Sequence, residues 1–298
     1  MKGVIFIAAA IVLSSLTLNA AERAIPYFVS AQWLADHLKD SDLVVVQTSF
    51  SRGEYNAEHL PGARFLWLNW LAPSTPDLST EMPALNDAQK VLEDLGISSN
   101  SKIVIVFGRN FVTITTRMLL AFSYLGFGDR VSVLDGGLET WKTEGRPVSK
   151  ETPVVTRTSV TINPHPEVIT DADWVKDHLA SPHVKIVDAR AKNFYDGNGG
   201  GIARTGHIKG AKNIPFTSIM DSTNRILPQS ELQKLFDNAG VTKGDTVVTY
   251  CHVGQQATVA YTAARLLGYT AMVYDGSFED WNVRDDSYPV EKTGTEKK

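Results

Sequence analysis

The 298-residue chain has one cysteine, Cys251. No disulfide can form within it, and no His/Cys grouping has the spacing of a zinc site. A basic surplus is also missing: 29 Lys and Arg against 33 Asp and Glu leave a net charge of −4. Nucleic-acid binders carry such a surplus to meet phosphates, so no nucleic-acid partner is expected. Hydrophobic residues make up 43% and charged residues 21%, which sets aside disorder, collagen and coiled coil. The one long apolar run, Gly3 to Leu13, is shorter than the about 20 residues that cross a bilayer.

That run follows the basic Met1-Lys2, and Leu18-Asn19-Ala20-Ala21 places small residues behind it. This is the pattern of a signal peptide over residues 1–20, cut after Ala20 or Ala21. An exported protein is expected, periplasmic or secreted, with no stable membrane insertion once the leader is removed.

An internal repeat organises the rest. Ser30-Ala31-Gln32-Trp33-Leu34-Ala35-Asp36-His37-Leu38 matches Asp171-Ala172-Asp173-Trp174-Val175-Lys176-Asp177-His178-Leu179 at an offset of 141. Glu58-His59-Leu60-Pro61-Gly62-Ala63 matches Gly206-His207-Ile208-Lys209-Gly210-Ala211 at 148, so the second copy carries seven extra residues near Gly199-Gly200-Gly201. Asp135-Gly136-Gly137-Leu138-Glu139-Thr140-Trp141 matches Asp275-Gly276-Ser277-Phe278-Glu279-Asp280-Trp281 at 140. The division that follows is a domain over 21–148, an extended linker over 149–165 and a second domain over 166–298. In each copy β-branched runs (43–46, 103–107 and 131–134; 184–188, 245–250 and 271–274) alternate with helical stretches (86–95 and 113–125; 229–239 and 256–267). Such alternation implies parallel sheets with helices on both faces, and ligands at the carboxyl ends of the strands.

Cys251 falls at such an end. Thr246 to Tyr250 reads as a buried strand, and His252-Val253-Gly254-Gln255-Gln256-Ala257 leads from the cysteine into a helix. Gly254 can take a positive φ. Successive N–H groups in such a loop form an anion-binding nest, and the helix N-terminus adds partial positive charge. Both are expected to lower the thiol pKa and favour a nucleophilic thiolate able to attack an electrophilic sulfur. The first copy has no cysteine; aligned without a gap, Arg109 stands opposite Cys251. That copy is expected to be a structural partner shaping one wall of the cleft.

These residues resemble the rhodanese family, in its two-domain sulfurtransferases. The resemblance lies in Asp188-Ala189-Arg190, in Gly206-His207-Ile208-Lys209-Gly210-Ala211-Lys212-Asn213-Ile214-Pro215, in the loop from Cys251 to Thr258, and in Asp275-Gly276 with Trp281. It implies an α/β fold of tandem rhodanese-like domains, with the catalytic one second. It implies a double displacement: thiosulfate or 3-mercaptopyruvate gives sulfane sulfur to Cys251, and the persulfide passes it to cyanide or a thiol. It implies no cofactor. His252, Val253, Gly254, Gln255, Gln256 and Ala257 would hold substrate or persulfide, and Asp188 and Arg190 would support the loop.

The sequence departs from the family where the donor is chosen. Thiosulfate-type loops carry Arg and Lys after the cysteine, and mercaptopyruvate-type loops carry Gly and then Ser or Ala; here His252 and Val253 follow it. The family's arginine six residues after the Asp of Asp-x-Arg is replaced by Phe194. A thiosulfate dianion needs a cation, for which Arg204 is the first candidate, with a protonated His252 and Lys192 behind it. Other readings stay open: a non-catalytic persulfide carrier, or a thiol redox sensor without a resolving cysteine. A cysteine phosphatase would need an arginine where Ala257 stands.

Overall fold

The computed structural model describes residues 23–49, 51–108, 112–201 and 203–293. The leader over 1–20 and Arg109 lie outside the described residues.

The first domain runs β1 (Phe28–Val29), α1 (Ala31–His37), β2 (Leu43–Ser49), α2 (Arg52–Ala57), β3 (Arg64–Trp67), α3 (Leu68–Leu71), α4 (Leu85–Asp94), β4 (Lys102–Phe107), α5 (Val112–Phe122), β5 (Val131–Leu134) and α6 (Gly137–Thr143). The second runs β6 (Ile169–Thr170), α7 (Ala172–Asp177), β7 (Val184–Asp188), α8 (Lys192–Tyr195), β8 (His207–Ile208), β9 (Lys212–Asn213), α9 (Gln229–Asn238), β10 (Thr246–Tyr250), α10 (Gln256–Leu266), β11 (Thr270–Tyr274), α11 (Ser277–Trp281) and β12 (Val290–Glu291). The sheets have the same order, β1-β5-β4-β2-β3 and β6-β11-β10-β7-β9. Every pairing within them is parallel.

Side chains on a strand alternate between faces, and here each face has its own core. In the first sheet Val44, Val46, Ile103 and Ile105 face one cluster, while Val45, Val104 and Val106 face another with Leu34 of α1 and Trp141 of α6. In the second, Val187, Val247 and Val273 face the first cluster, and Ile186, Val248 and Tyr274 face a third with Val175 and Trp281. The first cluster is common to both domains. It joins α4 and α5 to α9 and α10 as one continuous apolar core between the two sheets. At about 25 cal/mol per Å² of apolar surface, a shared core of this kind holds the domains together far more strongly than a polar interface would.

Ser30 and Asp171 cap their helices, each side chain accepting from the N–H three residues on. The tryptophans in these helices are half-buried rather than core: Trp33 stacks on His37 at 4.0 Å and Trp174 on His178 at 3.8 Å. The long helix of the first copy ends at Phe122, earlier than its apolar pattern suggests. A π-helical turn over Ser123–Phe127 follows, with Gly126 at φ 97°. The stretch after Ser149 has no regular structure and lies along α4, where Arg157 pairs with Glu93 and Thr158 donates to Ile97 O.

Candidate active site

The site sits at the carboxyl end of β10. Cys251 is fully buried, and the N–H groups of Val253, Gly254, Gln256 and Ala257 all bond toward its sulfur. Gly254 takes φ 78° to make the turn. An added Cβ there would lie 2.9 Å from Asp275 O, so the loop has room for glycine alone. The Gln255 carbonyl accepts from Thr258 N–H at 3.1 Å and Thr258 Oγ1 at 2.6 Å. On the other side α11 braces the loop. Phe278 N–H donates to Cys251 O and Glu279 N–H to His252 O, both at 2.9 Å, and Cys251 N–H donates to Ser277 Oγ at 3.2 Å.

The nest is therefore present, but it does not set the direction in which the resting thiol shifts. Burial pushes the Cys251 thiol up, and the four N–H bonds pull it down without cancelling that. A thiolate here is held by directed donors and has lost its water; a persulfide carries its charge one sulfur further out.

Asp188 and Arg190 form a fully buried pair at the end of β7. Arg190 Nη2 donates to Asp188 Oδ2 and to Gly206 O, both at 2.6 Å. Tyr250, the residue before the cysteine, donates its hydroxyl to Asp188 Oδ2 at 2.7 Å, and burial beside that carboxylate keeps the phenol protonated. Arg190 also lies 4.1 Å above the Phe278 ring. The pair thus ties the strand leading to Cys251 to the helix that braces it. Arg190 Nη1 is buried without a partner.

The candidate cations are elsewhere or spent. Arg204 is a correction to the sequence reading. Its guanidinium donates to Asn282 O at 3.1 Å, Tyr288 O at 2.8 Å and also Trp281 O, so it fastens the segment after α11. Lys192 pairs with Asp196 at 2.6 Å. Burial, and then the charge of Arg190, lower the His252 pKa below the ordinary imidazole value, so this ring is neutral near pH 7. Phe194 stands edge-on to it at 4.5 Å, and Gly199 packs against Phe194, where a Cβ would fall 2.1 Å from the ring. The glycine-rich stretch is thus partly seated, with Gly199 buried.

His207 is structural: Nδ1 lies 2.8 Å from Tyr195 O and its ring stacks on Tyr195. His59 does the same with Tyr55 in the domain without the thiol. Among the described residues, no group of three or more His, Cys, Asp or Glu is placed to hold a metal, and no helix is long and apolar enough to cross a membrane.

The Rhodanese-like domain model matches residues 30–144 and again 171–284. The chain belongs to the rhodanese family. Among its relatives, a mitochondrial thiosulfate/3-mercaptopyruvate sulfurtransferase of Arabidopsis thaliana is 29% identical, covering 88% of this chain and 77% of its own. The sulfur carrier protein TtuD of Thermus thermophilus is 29% identical, with 85% and 92% covered. The thiosulfate sulfurtransferase of Azotobacter vinelandii is 26% identical, with 90% and 98% covered. In fold the chain is similar to the 3-mercaptopyruvate sulfurtransferase SseA of Escherichia coli. The TM-score is 0.77 at 23% identity, over 85% of this chain and 99% of that one.

Ser277, Tyr250 and the first-domain residues that reach this loop were not singled out by sequence reasoning. One signal for the latter was available. Arg117 is the one charged residue in Val112–Phe122, a helix otherwise apolar apart from threonines. A lone charge in a helix meant for burial must have a buried partner.

Proposed function

We propose that this rhodanese-family protein is a sulfurtransferase moving sulfane sulfur from thiosulfate, through a Cys251 persulfide, to cyanide or a thiol acceptor. The carrying observation is the lone thiol at the carboxyl end of the central strand β10, with backbone N–H groups directed at its sulfur. In the first step the thiolate attacks the outer sulfur of thiosulfate. The S–S bond of the donor breaks, and sulfite leaves with the bonding pair. Cys251 then bears a terminal persulfide sulfur with one negative charge, which the nest holds. In the second step cyanide attacks that terminal sulfur, thiocyanate departs, and the thiolate returns. No outside oxidant or reductant is needed.

3-Mercaptopyruvate is the alternative donor, by analogy with the Arabidopsis relative. A second reading, a persulfide carrier serving a partner protein, is favoured by one observation: no Lys or Arg occurs from Cys251 to Ala257. Thiocyanate formation by residues 21–298, with thiosulfate and with 3-mercaptopyruvate, tests the first reading beside Cys251→Ser. Turnover lost in the variant supports it; a protein forming no Cys251 persulfide from any sulfane donor refutes both.

We also propose export through the leader over residues 1–20. N-terminal sequencing of the protein recovered outside the cytoplasm should begin at Ala21 or Glu22.

A further inference from the structure

The cradle depends on which way successive peptide groups face. In a trans peptide the carbonyl of one residue and the N–H of the next point in opposite directions. A carbonyl held away from the sulfur therefore turns the following N–H toward it. The second domain holds the carbonyls of Cys251 and His252 through Phe278 and Glu279. The next carbonyls are held from the first domain. Thr80 Oγ1 donates to Val253 O. Arg117, itself fully buried, donates through Nη1 to Gly254 O at 3.4 Å and to Asp275 Oδ1 at 2.5 Å, and through Nη2 to Thr80 O. Thr116 Oγ1 lies 2.7 Å from Thr258 Oγ1, and Thr258 holds Gln255 O.

We propose that Thr80 and Arg117 of the cysteine-free domain are positioning residues for Cys251: Thr80 holds the Val253 carbonyl outward so that the Gly254 N–H stays on the sulfur, and Arg117 fixes Thr80 through its carbonyl while bracing the loop at Gly254 O. The cradle is then built by both domains. Two further features fit. Thr80 takes φ 54°, a conformation that a β-branched residue rarely adopts and that surrounding contacts must impose. A Cβ on Gly254 would lie 3.2 Å from Arg117 Nη1, so loop and guanidinium are packed against each other. The proposal rests on the sulfur-transfer reading for what the cradle serves, but the cradle can be measured with no sulfur donor present.

Because Cys251 is the chain's one cysteine, its rate of alkylation by iodoacetamide against pH reports that thiol alone. In the full chain, Thr80→Val removes the hydroxyl and keeps the shape; Thr80→Ser keeps the hydroxyl. Thr80→Val should move the alkylation midpoint up by about one pH unit, the worth of one hydrogen bond to a charged sulfur. Its thiocyanate turnover should fall roughly tenfold. Thr80→Ser should restore both. Arg117→Lys keeps the charge beside Asp275 but loses the fork, and should shift the midpoint the same way by less.

Asp135→Ala is the control for mere domain adhesion, because Asp135 accepts from Ile226 N–H across the same core and touches neither the loop nor the residues that hold it. It should lower Tm and leave the midpoint in place. An unmoved midpoint in a folded Thr80→Val protein, or an equal shift in Asp135→Ala, overturns the proposal. A protein that shows these midpoint shifts but no persulfide would instead overturn the sulfur-transfer reading.

Discussion

Glu81 follows Thr80 at the domain interface, and its Oε1 is buried with no hydrogen-bond partner. Burial first, and then the charge of Asp275, push its carboxyl up to about 7; Asp280 and Glu279 add to the push and Arg117 opposes it. Between its ordinary value of 4.5 and about 7, the folded protein holds a proton that the unfolded chain has released. Stability from that proton is complete below 4.5 and is lost as the pH rises through about 7. At about 1.36 kcal/mol per pH unit the ceiling is about 3 kcal/mol, and solvent reaching a half-buried carboxyl reduces it to about 1–2 kcal/mol. Glu81→Gln fixes the neutral form at every pH. Thermal melts followed by circular dichroism should show the variant level with the parent near about pH 5. Near about pH 8 it should be more stable by about 2–8 °C, at about 2–4 °C per kcal/mol for chains of this size. Two melting-temperature curves that run parallel across this range would refute the reasoning. So would a variant that is weaker at high pH, since it would mean that the ionised carboxylate is paired.

Three other perturbations follow from the same geometry. Asp188→Asn leaves Arg190 buried without its carboxylate, and denaturant unfolding should show a loss of about 3–5 kcal/mol; a loss below about 1 kcal/mol would mean that water reaches the pair. Gly254→Ala forces an L side chain into φ 78° against Asp275 O. The strain of about 1–2 kcal/mol should cost roughly tenfold in kcat with Cys251 still alkylatable, and unchanged turnover would show that the loop relaxes freely. His252→Lys places a permanent cation beside Phe194 at the neutral wall. KM for thiosulfate should fall roughly fivefold or more at low salt, with the gain fading as ionic strength rises; a salt-independent change would rule out charge as the cause.

The duplication, the central strands of each copy and the position of the thiol were legible because each rests on local pattern. Val44 to Val46 and Thr246 to Tyr250 are short β-branched runs, and Cys251 stands between such a run and a glycine turn. The support that Asp188 and Arg190 give the loop was legible because the two residues are neighbours along one strand end. Arg204 misled because sequence shows a free cation near a motif but not the carbonyls it answers. Those belong to residues from Trp281 to Tyr288, 77 to 84 positions away. The thiol's direction of shift was missed for a similar reason. The nest is local and visible in Gly254, whereas the burial that outweighs it comes from the whole fold.

What sequence could not show at all is how two copies of one fold divide the work. α5 and α10 are both eleven residues long and pack together across the shared core, so Arg117 and Tyr261 occupy the same sixth place in each. The aspartates that follow β5 and β11 also correspond. Asp135 accepts from Ile226 N–H of the second domain at 2.9 Å, and Asp275 accepts from Arg117 of the first at 2.5 Å. Each domain therefore clasps the other by the same acid. The symmetry is broken by one guanidinium, which reaches past that acid to the carbonyl of Gly254. The thiol and the guanidinium stand on opposite copies. The domain without the cysteine thus contributes hydrogen bonds to the loop that carries it, and cutting the chain at the linker would remove Thr80 and Arg117 from Cys251 as well as exposing the common core.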